Sequence, residues 1–203
     1  MSISGLGLLA YLLGSVPFGL LIALIFKGLD PRLDGSRNVG ATNIARLCGL
    51  RWGLLTLFCD LGKGFLPVLL SLHFFAAEAP FLCLLPGLAC VLGHMFSLFL
   101  RFRGGKGVAA CVGVFLAAAP AQLIAAGAIC LVVIWRSGFV SAGSLTLVAV
   151  LPLLLLLTAA WPPFCLSLLI GALVAKAHRE NIRRLLRGEE KPWLGKHSAK
   201  DVP

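Results

Sequence analysis

Long apolar runs separated by short polar segments dominate this sequence and predict membrane-spanning helices. A helix needs about 20 apolar residues to cross the hydrocarbon core of a bilayer. Four runs have this length, namely residues 4–26, 52–77, 81–100 and 139–160. A fifth run, 163–177, is shorter, but it can span the bilayer if the basic residues at its end reach back to the interface. The pattern therefore predicts an all-α integral membrane protein.

The run 107–135 can be divided in two ways because Pro120 lies near its middle. As one helix it gives six spans and places the basic C-terminal tail opposite the other basic segments. As two shorter helices broken at Pro120 it gives seven spans, with every basic segment on one side. Basic residues beside spans are typical of the cytoplasmic face, which favours the second arrangement. We expect a bundle of about seven transmembrane helices, with the N-terminus outside and the C-terminus in the cytoplasm.

Composition agrees with a bilayer as the solvent. The 203 residues are 59% hydrophobic and 13% charged, with a mean hydropathy of +0.98. Because soluble domains contain about 25% charged residues, this composition excludes most soluble enzyme folds, disordered tails and secreted disulfide scaffolds. The length is that of one domain. We expect a single transmembrane domain over residues 1–203.

The net charge of +10 is concentrated in three polar segments, 27–51, 101–106 and 176–203. A nucleic-acid-binding surface can be equally basic. With apolar spans between the segments, the positive-inside rule is the simpler explanation, so we expect a cytoplasmic face and no nucleic-acid partner. Residues 178–187 place leucines and arginines on different sides of a helix, which predicts an amphipathic helix along the membrane surface.

The sequence lacks the usual signatures of a metal or disulfide site. Its seven cysteines are scattered and none forms a CxxC pair, as expected for small buried hydrophobic residues. There is no HExxH motif, no carboxylate cluster and no Ser-His-Asp arrangement on one face. We therefore expect no metal or other cofactor, and no serine-type acyl-enzyme chemistry.

The first polar segment combines small residues, hydroxyl groups and side-chain amides with arginines. Glycines at 35 and 40 let the backbone approach a ligand closely, and N–H groups beside hydroxyls suit an anion. A guanidinium at position 46 can bind a phosphate through two parallel hydrogen bonds. The alternative is a polar turn that only caps two helices. The candidate ligand-binding residues here are Ser36, Asn38, Gly40, Thr42, Asn43 and Arg46.

The second segment places three glycines around a lysine at the start of a helix. Free N–H groups, the positive end of the helix dipole and an ammonium group would converge there on a phosphate. The spacing of a Walker A motif is absent. The alternative is a glycine-rich turn flanked by basic residues that mark a span end. The candidates are Arg103, Gly104, Gly105, Lys106 and Gly107.

The third segment contains His178 and Asn181, which are three residues apart and so share a helix face. An imidazole beside an amide at the membrane edge can orient a hydroxyl nucleophile or a phosphate. A lone interfacial histidine is also often structural. His94, inside an apolar run, is open to the same two interpretations. Asp60 and Lys63, three apart inside a span, are expected to neutralise one another.

These motifs, in this order, resemble those of the bacterial acyl-phosphate:glycerol-3-phosphate acyltransferases. The similar stretches are 14–19 (GSVPFG), 35–43 (GSRNVGATN), 92–96 (LGHMF) with 102–109 (FRGGKGVA), and 178–182 (HRENI). The family pattern commonly has glycine where this chain has Arg37. The resemblance implies a seven-span protein of the bacterial cytoplasmic (inner) membrane, with its active site facing the cytoplasm. It would transfer a fatty acyl group from acyl phosphate to the 1-hydroxyl of sn-glycerol 3-phosphate, giving lysophosphatidic acid and phosphate.

The resemblance also implies roles for individual residues and partners. Ser36, Arg46, Lys106, His178 and Asn181 would be catalytic, holding the two phosphates and stabilising developing negative charge. Gly104, Gly105 and Gly107 would give backbone N–H groups to phosphate. Glycerol 3-phosphate, acyl phosphate and membrane lipids would be partners, with a functional link to an enzyme that produces acyl phosphate.

Two other classes share some of these features. A small transporter for an organic phosphate would also have a basic mouth, but it should place polar residues along the whole depth of the bundle. Here the polar groups crowd one face. A lipid-binding scaffold would need only the basic tail, and it would leave Ser36, Asn43 and His178 without a role.

Overall fold

Helices account for most of residues 2–77 and 79–193, which a computed structural model of the chain describes, and those residues contain no β-strand. The predicted all-α class is confirmed. Positions 194–203 of the third polar segment lie outside the described residues. The helices are α1 (Ile3–Ser15), α2 (Phe18–Lys27), α3 (Ala41–Cys48), α4 (Leu50–Phe75), α5 (Leu85–Met95), α6 (Val108–Ala118), α7 (Pro120–Ser137), α8 (Val140–Leu157), α9 (Trp161–Ala177) and α10 (Arg179–Arg187).

Five stretches of helix are long and apolar enough to cross a membrane, judged by length and composition. They are Ile3–Lys27, Leu50–Phe75, Leu82–Leu100, Pro120–Ser137 and Val140–Leu157. α9 is one residue shorter than the last two of these, and a bend of 61° separates it from α10. α6 has 11 residues. The amphipathic helix predicted at 178–187 is confirmed as α10, and the chain breaks at Pro120 as the seven-span arrangement requires.

The first predicted span is divided at Val16 and Pro17, between α1 and α2. Proline has no N–H to continue the helix, and it disfavours helical geometry in the residue before it. The Val16 carbonyl accepts a hydrogen bond of 2.9 Å from the Lys63 ammonium. The Phe18 N–H donates to the same carbonyl at 3.1 Å, so the buried lysine is its second donor.

The buried Lys63 also pairs with Asp60, as predicted, at 2.8 Å. Nδ1 of His94 lies 3.6 Å from the same carboxylate. These three residues, with Ser15 and Ser97, line a small cavity beside the break in the first span. The ion pair therefore joins α4, α5 and the α1–α2 break.

Glycines set the crossing of α4 and α6. A side chain at Gly64 would overlap the Ala110 carbonyl of α6, and one at Gly113 would overlap the Leu61 carbonyl of α4. Small residues allow this close backbone approach between helices in a membrane. The crossing fixes α6 against the longest helix, α4, and so fixes the turn that precedes α6.

The three polar segments meet at one end of the bundle. Leu20, Val39 and Leu100 form a small apolar cluster that joins the first segment to the second. The Lys106 side chain bonds to Asn181 and joins the second segment to the third. Because Ser141, just after α7, also bonds to the third segment, α6 and α7 run away from this end and return to it.

Candidate functional site

The glycine-rich turn before α6 folds back onto the end of α5. The N–H groups of Gly104 and Gly105 donate to the carbonyls of Met95 and His94, each at 3.0 Å. A side chain at Gly105 would overlap the His94 ring. The first two glycines therefore serve close packing and already have protein partners for their N–H groups. Their binding of phosphate stays a prediction, as does that of Gly107, which has a left-handed backbone at the start of α6.

Lys106 projects from this turn and bonds through its ammonium to Oδ1 of Asn181. Burial lowers the pKa of Lys106 to about 8, and the negative charge of Glu190 partly opposes that effect. The positive charges of Arg184 and Arg46 lower it further. The ammonium group is therefore poorly hydrated, and it is still mostly charged at pH 7.

His178 is buried where α9 bends into α10. Its Nδ1 lies 2.8 Å from the Val174 carbonyl, which can only accept a hydrogen bond. Burial, together with the charge of Lys106, lowers the pKa of His178 to about 4, so the ring is neutral at pH 7. The proton is then on Nδ1, and Nε2 is left as an acceptor. Such a ring can accept a hydrogen bond from a substrate hydroxyl.

The first polar segment is organised by Asn43, whose side chain is 2% exposed. Its amide nitrogen donates to the carbonyls of Pro31, Asp34 and Asn38 at 2.9–3.2 Å. Its oxygen accepts from the Ser36 N–H at 2.9 Å. Asn43 thus holds the loop in shape here, and its predicted contact with substrate remains untested.

Other residues of this segment lie around that loop. The Asn38 side chain accepts from the Gly40 N–H at 2.8 Å, which closes a local turn. Ser36 is exposed, and Thr42 is half-buried on α3. Arg46 on α3 is exposed and lies 3.5 Å from the Asn43 oxygen. Arg37 has a left-handed backbone, with φ of 55°, at the position where the family pattern commonly has glycine.

The predicted residues divide into two groups. Lys106, His178 and Asn181 come together, and Arg46 acts on Lys106 through its charge. Among the described residues, no hydrogen bond or ion pair joins Ser36 or Arg103 to that group. Both are exposed at the same end of the bundle and are open to a ligand.

Sequence reasoning missed Glu190 and Ser141. The Glu190 carboxylate accepts from Asn181 at 2.6 Å and from Ser141 at 2.6 Å. Neither residue belongs to a motif quoted above. Glu190 follows Glu189 in a charged tail, a pattern that is typical of solvent-exposed residues. The one available signal was that a carboxylate follows shortly after a basic amphipathic helix.

Comparison with known proteins gives one consistent result. Residues 5–188 match the family model described as glycerol-3-phosphate acyltransferase. A glycerol-3-phosphate acyltransferase of Desulfovibrio desulfuricans is 55% identical over 186 residues, which cover 92% of this chain and 82% of that protein.

Solved structures agree in fold as well as sequence. The crystal structure of PlsY (YgiH), an integral membrane glycerol 3-phosphate acyltransferase, in its glycerol 3-phosphate form is 38% identical. It covers 100% of both chains with a TM-score of 0.92. Its lysophosphatidic acid form is 39% identical over 95% of both chains, with a TM-score of 0.88.

Proposed function

The chain belongs to the glycerol-3-phosphate acyltransferase family, and we propose that it transfers a fatty acyl group from acyl phosphate to the 1-hydroxyl of sn-glycerol 3-phosphate. The products are lysophosphatidic acid and inorganic phosphate, in the first step of phospholipid biosynthesis. The observation that carries the proposal is the cluster of Lys106, His178 and Asn181, near Arg46, at one end of an apolar bundle. This end offers charge to phosphates, and the bundle beside it offers apolar surface to an acyl chain.

The reaction needs no nucleophile from the enzyme, because acyl phosphate is a mixed anhydride and already activated. The 1-hydroxyl oxygen bonds to the acyl carbon, and the bond from that carbon to the phosphate oxygen breaks. The hydroxyl proton passes to phosphate, and inorganic phosphate leaves. The enzyme contributes orientation and charge: Lys106 and Arg46 hold the phosphates and offset the negative charge that develops.

Neutral His178 orients the attacking hydroxyl. With Nδ1 donating to the Val174 carbonyl, Nε2 can accept a hydrogen bond from the 1-hydroxyl. Its low pKa makes it a weak base, so the proton passes to a substrate phosphate and not to His178 alone. Asn181 and Ser36 complete the polar contacts. The other residues that we propose for binding the substrates and their phosphates are Asn38, Gly40, Thr42, Asn43, Arg103, Gly104, Gly105 and Gly107.

We place the active site on the cytoplasmic face of a bacterial inner membrane. The protein crosses the membrane about seven times as one domain, with α6 and α7 as separate transmembrane helices. Its N-terminus is outside and its C-terminus is in the cytoplasm. The basic segments 27–51, 101–106 and 176–203 then follow the positive-inside rule. Glycerol 3-phosphate enters from water, drawn by their positive field, and an acyl-phosphate-producing enzyme supplies the donor.

The test is an assay of the purified protein in lipid with palmitoyl phosphate and glycerol 3-phosphate. Phosphate and lysophosphatidic acid should form in equal amounts, and acyl-CoA should not replace the donor. Activity with acyl-CoA alone would keep the acceptor and overturn the donor.

A single substitution tests the phosphate cluster. Lys106→Ala should lower turnover by about 100- to 10,000-fold, since it removes a preorganised cation from the reacting charge. Lys191→Ala, which removes an exposed cation from the same end, is the control and should stay near wild type. Near-normal turnover by folded Lys106→Ala would overturn the assignment.

A further inference from the structure

The Glu190 side chain leaves the tail after α10 and turns back into the bundle. It is 8% exposed, and three donors from the surrounding protein meet its two oxygens. Ser141 and Asn181 donate to Oε1 at 2.6 Å each, and Arg184 donates to Oε2 at 2.7 Å. These bonds lower the pKa of Glu190, because they favour its charged form over the opposing effect of burial. The group is therefore a carboxylate at neutral pH.

This carboxylate fixes which way the Asn181 amide faces. A carboxylate only accepts hydrogen bonds, so the NH₂ of Asn181 must face Glu190. An ammonium group only donates, so the oxygen of Asn181 must face Lys106. If the amide were reversed, its NH₂ group would face the Lys106 ammonium and its oxygen would face the Glu190 carboxylate, so neither pair could form a hydrogen bond. Glu190 and Lys106 thus hold Asn181 in one orientation from its two sides.

Glu190 also balances the charge around Lys106. Arg46 from α3 and Arg184 from α10 repel the ammonium group, while Glu190 attracts it. The remaining titratable neighbour, His178, is neutral at pH 7. Of the groups that act on Lys106, Glu190 is the one that favours the positive form.

We propose that Glu190 is a positioning residue for acyl transfer, which orients the Asn181 amide and keeps Lys106 positively charged for the incoming phosphates. The inference rests on the proposed function. It assigns the tail after α10 a part in the active site: the short stretch from 188 to 190 carries a carboxylate back to the residues that meet the substrate.

Glu190→Gln tests this, because it keeps the size of the side chain and removes its charge. Its NH₂ group must face at least one of the three donors. We expect kcat/KM to fall about ten- to hundredfold, the range for losing one hydrogen bond to a charged group. Glu189→Gln is the matched control, because Glu189 is the neighbouring residue and its side chain is exposed. The variant removes the same charge and should keep kcat/KM within about twofold of wild type.

A purely structural role would not move the titration of Lys106, so that titration is the second readout. Chemical acetylation of Lys106 by an added reagent, followed by mass spectrometry across a pH series, reports the neutral amine and does not depend on the enzyme's own reaction. Its midpoint should lie at lower pH in Glu190→Gln than in wild type and in Glu189→Gln. Unchanged midpoint and unchanged kcat/KM would overturn the proposal.

Two outcomes separate this inference from the function it rests on. If the wild type makes no lysophosphatidic acid, the proposed reaction fails, while the acetylation midpoints still test the effect of Glu190 on Lys106.

If Glu190→Gln does not fold, Glu190→Asp is the second variant, since it keeps the charge and shortens the reach. It should keep the wild-type midpoint and lose kcat/KM, and wild-type kcat/KM would contradict the orienting role.

Discussion

At the scale of single residues, the proposed reaction makes the protonation of Lys106 decisive, because that protonation sets the charge available to bind phosphate. Its pKa of about 8 is below the ordinary value for lysine, because burial penalises the charged form. The amine is therefore charged below pH 8 and neutral above it. We expect kcat/KM to fall as pH rises through about 8.

The variant Lys106→Arg separates this cause from others, because a guanidinium stays charged throughout that range. Its activity should be lower than wild type below pH 8, since its shape differs, but the decline near pH 8 should disappear. Initial rates at a series of pH values, corrected for spontaneous hydrolysis of acyl phosphate, make the comparison. A decline at the same pH in both proteins would assign it to another group.

Arg37 carries a backbone cost that can be removed. Its φ of 55° is left-handed, a region that costs a residue with a Cβ about 1 kcal/mol. Arg37→Gly should raise stability by about 0.5–1 kcal/mol, seen as a higher thermal unfolding midpoint. Arg37→Ala loses the same charge but keeps the Cβ, and it should show no gain. Equal midpoints for the two variants would mean that the backbone cost is not the cause.

The residues of the site could be predicted from sequence only where chemistry and spacing coincide. Two examples are Lys106, which stands among glycines, and His178, which stands three residues before Asn181. Glu190 does not, because its role comes from a return of the chain that brings it to Asn181. Sequence also does not reveal that the amide nitrogen of Asn43 donates to three loop carbonyls.

At the scale of helices, the sequence predicted the apolar stretches and the break at Pro120, but not the break in the first span. Pro120 divides its run because proline disfavours helical geometry in the residue before it, and Ala119 has φ of −157° and ψ of 66°. Pro17 divides the first span as well, although the run 4–26 is continuously apolar. At the second break, Lys63, 46 residues away from Pro17 in the chain, adds a hydrogen bond to the carbonyl of Val16. Local sequence cannot supply such a partner.

The α4–α6 crossing makes a prediction at this scale. Gly64→Ala would press a methyl group into the Ala110 carbonyl, and backbone cannot move aside cheaply. We expect a loss of about 1–3 kcal/mol in stability, with lower activity because α6 carries the turn that holds Lys106. Thermal unfolding in detergent measures the first effect and the acyl transfer assay the second.

Gly62→Ala is the control for this substitution, because it lies on the same helix two residues earlier with open space at its side-chain position. It should match or slightly exceed wild-type stability, since alanine is the better helix former. If both variants lose the same stability, close packing between α4 and α6 is not the reason.

For the whole molecule, the path of α6 and α7 decides the number of crossings. Lys106, before α6, and Ser141, after α7, are both tied to the third polar segment through Asn181 and Glu190. The chain between them must therefore leave that end and come back, with the break at Pro120 at the far end. Charge placement favours the same path, because Arg136 then lies with the other basic residues.

This path can be tested by placing single cysteines at its two ends. In membrane vesicles of known orientation, Ala121→Cys should react with a membrane-impermeant thiol reagent from the outer side, and Ser137→Cys from the cytoplasmic side. Both positions are exposed, and the parent protein gives the background from native cysteines. Reaction of both from one side would contradict two separate crossings. If Ala121→Cys reacted only from the cytoplasmic side and Ser137→Cys only from the outer side, the bundle would be inverted and the proposed phosphate-binding end would lie on the outer face.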